Sequence, residues 1–131
     1  MSRVKQTPHE GNCLQAAIAS LLELPIEEVP DFRQIPDEQT GGWFNAVVNW
    51  AYYRNLGTVH FYFTDDTVPT VSGVRAIAVG STKRGTSNDD HAIVVNLETK
   101  GNELLVSHEH DPHASNAMLD KVHYCFFFVP I

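Results

Sequence analysis

The sequence contains only two cysteines, Cys13 and Cys125, so at most one disulfide is possible. Cys125 lies in the apolar run 124–129, which is typical of a strand in a protein core. No signal-peptide pattern precedes Cys13. These features predict that both thiols are free and that the protein works in the reducing cytoplasm, without a disulfide framework.

Basic residues are also scarce, because nine lysines and arginines stand against sixteen acidic residues. The formal net charge of -7 repels phosphate backbones and anionic lipid surfaces. Long apolar runs are missing as well, and none approaches the roughly 20 residues that a membrane-spanning helix needs. We therefore expect neither nucleic acid nor a membrane as a partner.

Repeats, linkers and low-complexity segments are absent from the 131 residues. A hydrophobic content of 43% is enough to build one compact core. The length is too short for two ordinary domains. The sequence therefore predicts a single domain over residues 1–131.

Helical periodicity dominates the first half of the chain. Apolar residues recur at three- and four-residue steps over 13–23, with Asn12 as the expected N-cap. A short helical connector is expected over 24–32. A second helix over 43–54 carries both tryptophans, and Gly57 is the expected C-terminal cap.

Strand patterns follow in the second half, where apolar, aromatic and β-branched residues alternate with polar loops. Five strands are predicted, over residues 59–63, 74–80, 91–97, 103–108 and 122–129. Helices followed by consecutive strands are typical of an α+β domain. We expect the helices to pack on one face of an antiparallel sheet.

Cys13 is the first candidate for chemistry, because it begins the first predicted helix. The N-terminus of a helix carries a partial positive charge, which favours the thiolate over the thiol. A thiol that ionises easily is a good nucleophile. Cys13 is therefore a candidate catalytic nucleophile.

His91 and Asp111 are the candidate partners of this thiol. His91 begins a strongly apolar strand, where a rigid element could hold its imidazole as a general base. Asp111 follows the next strand and could orient the imidazole from there. The alternatives are an exposed histidine at a strand end and an ordinary Asp-Pro turn. Asp89 and Asp90, the chain neighbours of His91, are rival orienting groups.

Gln6 precedes Cys13 by seven residues, and its side-chain amide could donate to a developing oxyanion beside the Cys13 N–H. Four features follow one another in the chain: Gln6, then Gly11-Asn12-Cys13 with its alanine-rich helix, then His91 with the strand 91–95, and last His110-Asp111-Pro112. In this order the chain resembles the papain-like cysteine peptidases. It is most similar to compact bacterial and phage-borne members such as the domains that cleave double-glycine leaders.

The resemblance implies a papain-like α+β fold with a central helix that begins at the cysteine. It implies Cys13 as nucleophile, His91 as base, Asp111 as the orienting residue and Gln6 in the oxyanion hole. The expected substrate is a peptide or protein, and no cofactor is expected. Asn12 and Trp43 are expected to contact the substrate, although a core position is the commoner place for a tryptophan.

Other functions stay open from the sequence. The same thioester chemistry would serve an acyltransferase, a deamidase or an isopeptidase, and the fold could also persist in a binding module without catalysis. His108, His110, Asp111 and His113 could bind zinc. Their order differs from the motif of metallo-β-lactamase folds, and we expect no metal site.

Overall fold

The computed structural model describes residues 12–63, 69–81, 91–112 and 121–131. Three α-helices and two short 3-10 helices precede five strands: α1 (Cys13–Leu22), η1 (Ile26–Glu28), η2 (Phe32–Gln34), α2 (Asp37–Thr40), α3 (Trp43–Tyr53), β1 (Leu56–Tyr62), β2 (Val74–Ser81), β3 (His91–Lys100), β4 (Glu103–His110) and β5 (Lys121–Pro130). Within these ranges no helix combines the length and apolar character needed to cross a membrane.

The five strands form one antiparallel sheet in the order β1-β5-β2-β3-β4. The last strand of the chain therefore lies between the first two and pairs with both. Helices α1 and α3 pack against the sheet, α1 over β3 and β2 and α3 beside β1. The predicted α+β class with an antiparallel sheet is confirmed.

The sheet has an apolar core on each face, because successive side chains of a strand point to opposite sides. Val79, Ala92 and Phe126 lie on the face covered by the helices, together with Ile18 of α1. The opposite face carries a second cluster that includes Cys125. Both cysteines are free and buried.

Several boundaries differ from the sequence prediction. Gly57 is not the cap of α3, because the left-handed conformation falls on Asn55 (φ 64°) and Gly57 already belongs to β1. Helix α1 ends one residue early, with Glu23 in the left-handed region at φ 57°. The short helix α2 was not predicted, since four polar residues carry no apolar periodicity.

Gly80 allows β5 to approach β2 where the register of the two strands shifts. A Cβ at this position would overlap the backbone carbonyl oxygen of Lys121, which cannot move away as a side chain could. Gly80 also pairs with His91 across β2 and β3. The absence of a side chain therefore brings three strands together at the start of β3.

Gly80→Ala is therefore expected to lower the free energy of unfolding by about 1–3 kcal/mol, the usual cost of overpacking. Denaturant titration measures this loss. Gly57→Ala is the matched control within β1, because its Cβ would meet a methyl group of the C-terminal Ile131 at 3.0 Å and that side chain can move. Equal losses in the two variants would contradict the explanation.

Candidate active site

Cys13 is the first residue of α1, and its side chain is almost fully buried at 6% exposure. The first turn of α1 contains no acidic residue that would cancel the positive end of the helix dipole. The first backbone hydrogen bond of the helix joins Ala16 N–H to Asn12 O. The Cys13 N–H therefore has no acceptor within the helix.

His91 is the first residue of β3, and the residue is buried at 3% exposure. Its side chain makes a hydrogen bond with the Cys13 thiol. The packing of α1 on β3 explains this contact, since it places the beginning of the helix beside the beginning of the strand. The histidine is therefore not an exposed residue at a strand end.

Asp111 follows β4, the strand next to β3, and is completely buried. Its Oδ1 lies 2.5 Å from Nε2 of His91. An ionised carboxylate only accepts hydrogen bonds, so Nε2 donates and Nδ1 is the ring nitrogen left for the thiol. Residue 109 is bulged out of the pairing between β3 and β4, where Val94 pairs with His110 but Val95 pairs with His108.

Opposing effects act on the pKa of Cys13. Burial raises it, whereas four other contributions lower it: the hydrogen bond from His91, the charge of His91, the backbone N–H of Ala92 and the charge of Arg33 in η2. The lowering contributions prevail, so the pKa lies below the ordinary value of a thiol. The site therefore shifts the ionisation of Cys13 towards the thiolate.

The pKa of His91 is shifted in the opposite direction. Burial lowers it, but the hydrogen bonds with Asp111 and Cys13 and the charges of both groups outweigh burial and raise it. Each partner thus stabilises the charged form of the other. Cys125 provides the contrast, because burial alone raises its pKa to about 12.

Asn12 occupies the N-cap position of α1, but its side chain makes no capping hydrogen bond. Instead, Asn12 Nδ2 donates to Gln15 Oε1 at 3.1 Å, and Gln15 Nε2 donates to the backbone oxygen of Val29 at 2.7 Å. These bonds tie the turn before Cys13 to the connector after α1. Asn12 is 3% exposed, and its contact with substrate stays a prediction.

Trp43 is half-buried at the start of α3 and lines a cavity between that helix and the sheet. Its ring is stacked with Tyr124 of β5 at a centroid distance of 6.3 Å. The Trp43 side chain packs against the core, the commoner place for a tryptophan, and also forms a wall of this cavity. Its contact with substrate stays a prediction.

Gln6, the expected oxyanion donor, lies outside the described residues, as do Asp89, Asp90 and His113. In the described part of the chain, no three histidine, cysteine or carboxylate side chains are grouped as a metal site would need. His108 is exposed on β4, and His110 is buried beside Asp111 in the chain. His108 and His110 therefore differ in their exposure to solvent.

Sequence reasoning missed three features of this region. Ala92 N–H contacts the thiol, and its position directly after His91 could have indicated this. Arg33 acts on Cys13 from a segment twenty residues away, which no local pattern signals. The aromatic residues that share the cavity with Trp43 come from three separate elements. Comparisons of the chain with protein-family models, with curated proteins and with solved structures find no match.

Proposed function

We propose that this protein is a papain-like, cysteine-dependent hydrolase that cleaves an amide or isopeptide bond in a peptide or protein. The observation that carries the proposal is the chain of contacts from the Cys13 thiol through the His91 ring to the buried Asp111 carboxylate. A nucleophile, its base and an orienting group in this order form the general triad. The cytoplasm suits such a thiol, because reducing conditions keep it free.

The first half-reaction forms a thioester. The Cys13 sulfur attacks the carbonyl carbon, and the negative charge that develops on the carbonyl oxygen is stabilised by the Cys13 N–H, with Gln6 as the expected second donor. The His91 imidazolium then donates its proton to the amine as the C–N bond breaks. Asp111 keeps the ring in position and stabilises its charge throughout.

The second half-reaction releases the acyl group. Neutral His91 takes a proton from water, the resulting hydroxide equivalent attacks the thioester carbonyl, and the sulfur leaves as the thiolate. An amine in place of water would give acyl transfer, and a glutamine side chain as the acyl donor would give deamidation. The three reactions therefore differ in the donor and acceptor that reach Cys13.

A panel of peptidyl acyl probes that trap cysteine nucleophiles tests the proposal. We expect intact-mass spectrometry to show one adduct on the wild type, located at Cys13, and none on Cys13→Ala. Cys125→Ala is the matched control and should keep the adduct, because the pKa of the Cys125 thiol is raised to about 12. Adducts that persist in Cys13→Ala would contradict the proposal.

The fate of the acyl group separates hydrolysis from its alternatives. With peptide thioester or ester substrates, release of the free acid indicates a hydrolase, whereas capture by an added amine indicates an acyltransferase. A protein that forms no adduct with any probe and releases no product would instead be a binding module of the same fold.

A further inference from the structure

Five aromatic side chains enclose a cavity of about 220 Å³ between the start of α3 and the ends of β1 and β5. We call this the aromatic pocket, and its lining residues are Trp43, Phe44, His60, Tyr62 and Tyr124. Two of the five come from α3, two from β1 and one from β5. The pocket is distinct from the triad, which lies over β3.

The five rings form a closed circuit of contacts. Trp43 contacts Phe44, Phe44 contacts His60, and His60 contacts Tyr62, with centroid distances of 5.7, 4.9 and 6.2 Å. Tyr62 contacts Tyr124 at 5.4 Å, and Tyr124 returns to Trp43 at 6.3 Å. The first three contacts have interplanar angles of 89°, 65° and 84°. The last two angles are 50° and 27°, so the rings line the cavity at several orientations, with Trp43 and Tyr124 stacked.

A wall of aromatic rings favours organic cations as ligands. The faces of aromatic rings carry negative electrostatic potential, and they attract organic cations that are weakly hydrated. None of the described residues that line the pocket is a lysine or an arginine that would oppose a cation, and the protein as a whole carries a net charge of -7. His60 and Tyr62 are exposed, so the pocket opens to water on the β1 side and a ligand attached to a longer chain could enter it there.

The sheet register relates the pocket to the reactive thiol. Ala92, whose N–H contacts the Cys13 sulfur, pairs with Val79 of β2, and Val79 pairs with Tyr124 of β5. Tyr124 is thus two strands away from Ala92 in the same row of the sheet, at roughly 10 Å for a strand spacing of about 4.8 Å. An extended peptide covers this distance with about three residues.

We propose that the aromatic pocket binds a trimethylammonium group on a side chain of the peptide substrate, about three residues from the bond that is cleaved. The assignment to a substrate side chain rests on the proposed function, whereas binding of the cation rests on the pocket alone. The pocket would thereby select substrates that contain a methylated lysine.

The test uses the Cys13→Ala protein, which binds without turnover, and two short peptides. One peptide contains trimethyllysine, and the other contains its neutral isostere, in which a tert-butyl group replaces the trimethylammonium group. We expect calorimetry to show binding of the cationic peptide that is about fivefold or more tighter than that of the neutral one. Equal affinities, or no binding of either peptide, would overturn the proposal.

Variants locate the effect in the pocket. Tyr62→Leu keeps apolar volume at a residue that is 49% exposed, and it should remove most of the preference for the cationic peptide. Tyr53→Leu is the matched control, because Tyr53 is exposed and lies outside the pocket. Thermal unfolding of both variants establishes that they are folded. A preference that survives in Tyr62→Leu would place the cation elsewhere.

Free choline distinguishes a substrate side chain from a small soluble cation. We expect choline to compete with the trimethyllysine peptide but to bind more weakly, since it makes no contacts outside the pocket. Choline that binds as tightly as the peptide would overturn the assignment to a substrate. Because binding is measured without the thiol, its failure leaves the acylation of Cys13 to be decided separately by the probe panel.

Discussion

His91→Ala is expected to slow the alkylation of Cys13 by iodoacetamide at about pH 6 by roughly two orders of magnitude. The thiolate is the reactive form, and His91 supplies the hydrogen bond and the charge that favour it. Without the imidazole, burial is left to raise the pKa of Cys13 against weaker contributions from Ala92 and Arg33. Intact-mass spectrometry over a time course measures the rate.

The pKa shifts also predict how the rate of alkylation changes with pH. In the wild type the lowered pKa of Cys13 should keep alkylation fast below the ordinary thiol pKa of about 8.5, and the rate should fall only as the pH drops through the lowered value. In His91→Ala the rate of alkylation should begin to fall at a higher pH than in the wild type. The rate of acylation by a probe should also decline at high pH, as His91 loses its proton through its raised pKa.

His108→Ala is the matched control for this experiment, because His108 is an exposed histidine on the neighbouring strand β4. It should leave the rate and the pH profile of alkylation unchanged. Identical profiles in the wild type and in His91→Ala would show that the imidazole does not influence the thiol. That result would remove the base from the proposed mechanism.

Asp111→Asn is expected to reduce probe acylation and turnover by about 10³-fold or more, with little change in the fold. The amide oxygen can still accept from the imidazole, but the carboxylate charge that raises the pKa of His91 is gone. The amide can also rotate and donate to the ring, which would give the wrong tautomer. Initial rates with the best probe of the panel measure the loss.

Asp111→Ala should in addition destabilise the protein, by about 3–5 kcal/mol, because it leaves a buried imidazole without its partner. Glu103→Gln is the control for loss of a carboxylate, since Glu103 is exposed at the other end of β4. Full activity in Asp111→Asn would assign Asp111 a structural role only.

Local sequence patterns predicted the existence of the main elements, and they did so where one period dominates a segment. The apolar spacing of α1 and the alternating pattern of β3 are signals of this kind. The patterns were less accurate at element boundaries. Gly57 was predicted to end α3, but Asn55 can also adopt the left-handed conformation and ends the helix two residues earlier. The patterns could not predict the strand order either, because the apolar run of β5 suits any central position.

The candidate site divides in the same way. Cys13 and His91 could be located from the sequence, since a cysteine that begins a helix and a histidine that begins a strand are local features. Asp111 was chosen as the orienting residue ahead of Asp89 and Asp90, but its contact with His91 could not be derived from the sequence, because it depends on which carboxylate reaches Nε2 across the sheet. Only the pairing of β3 with β4 shows that Asp111 does so, at 2.5 Å.

By itself, the sequence determined an α+β chain with a thiol at a helix N-terminus, since both follow from interactions between residues close in the chain. The tertiary structure decided what surrounds that thiol. Burial and the contact with His91 set its pKa, and the insertion of β5 beside β1 closed the circuit of aromatic rings. These features depend on contacts between segments far apart in the chain, and such contacts leave no local periodicity.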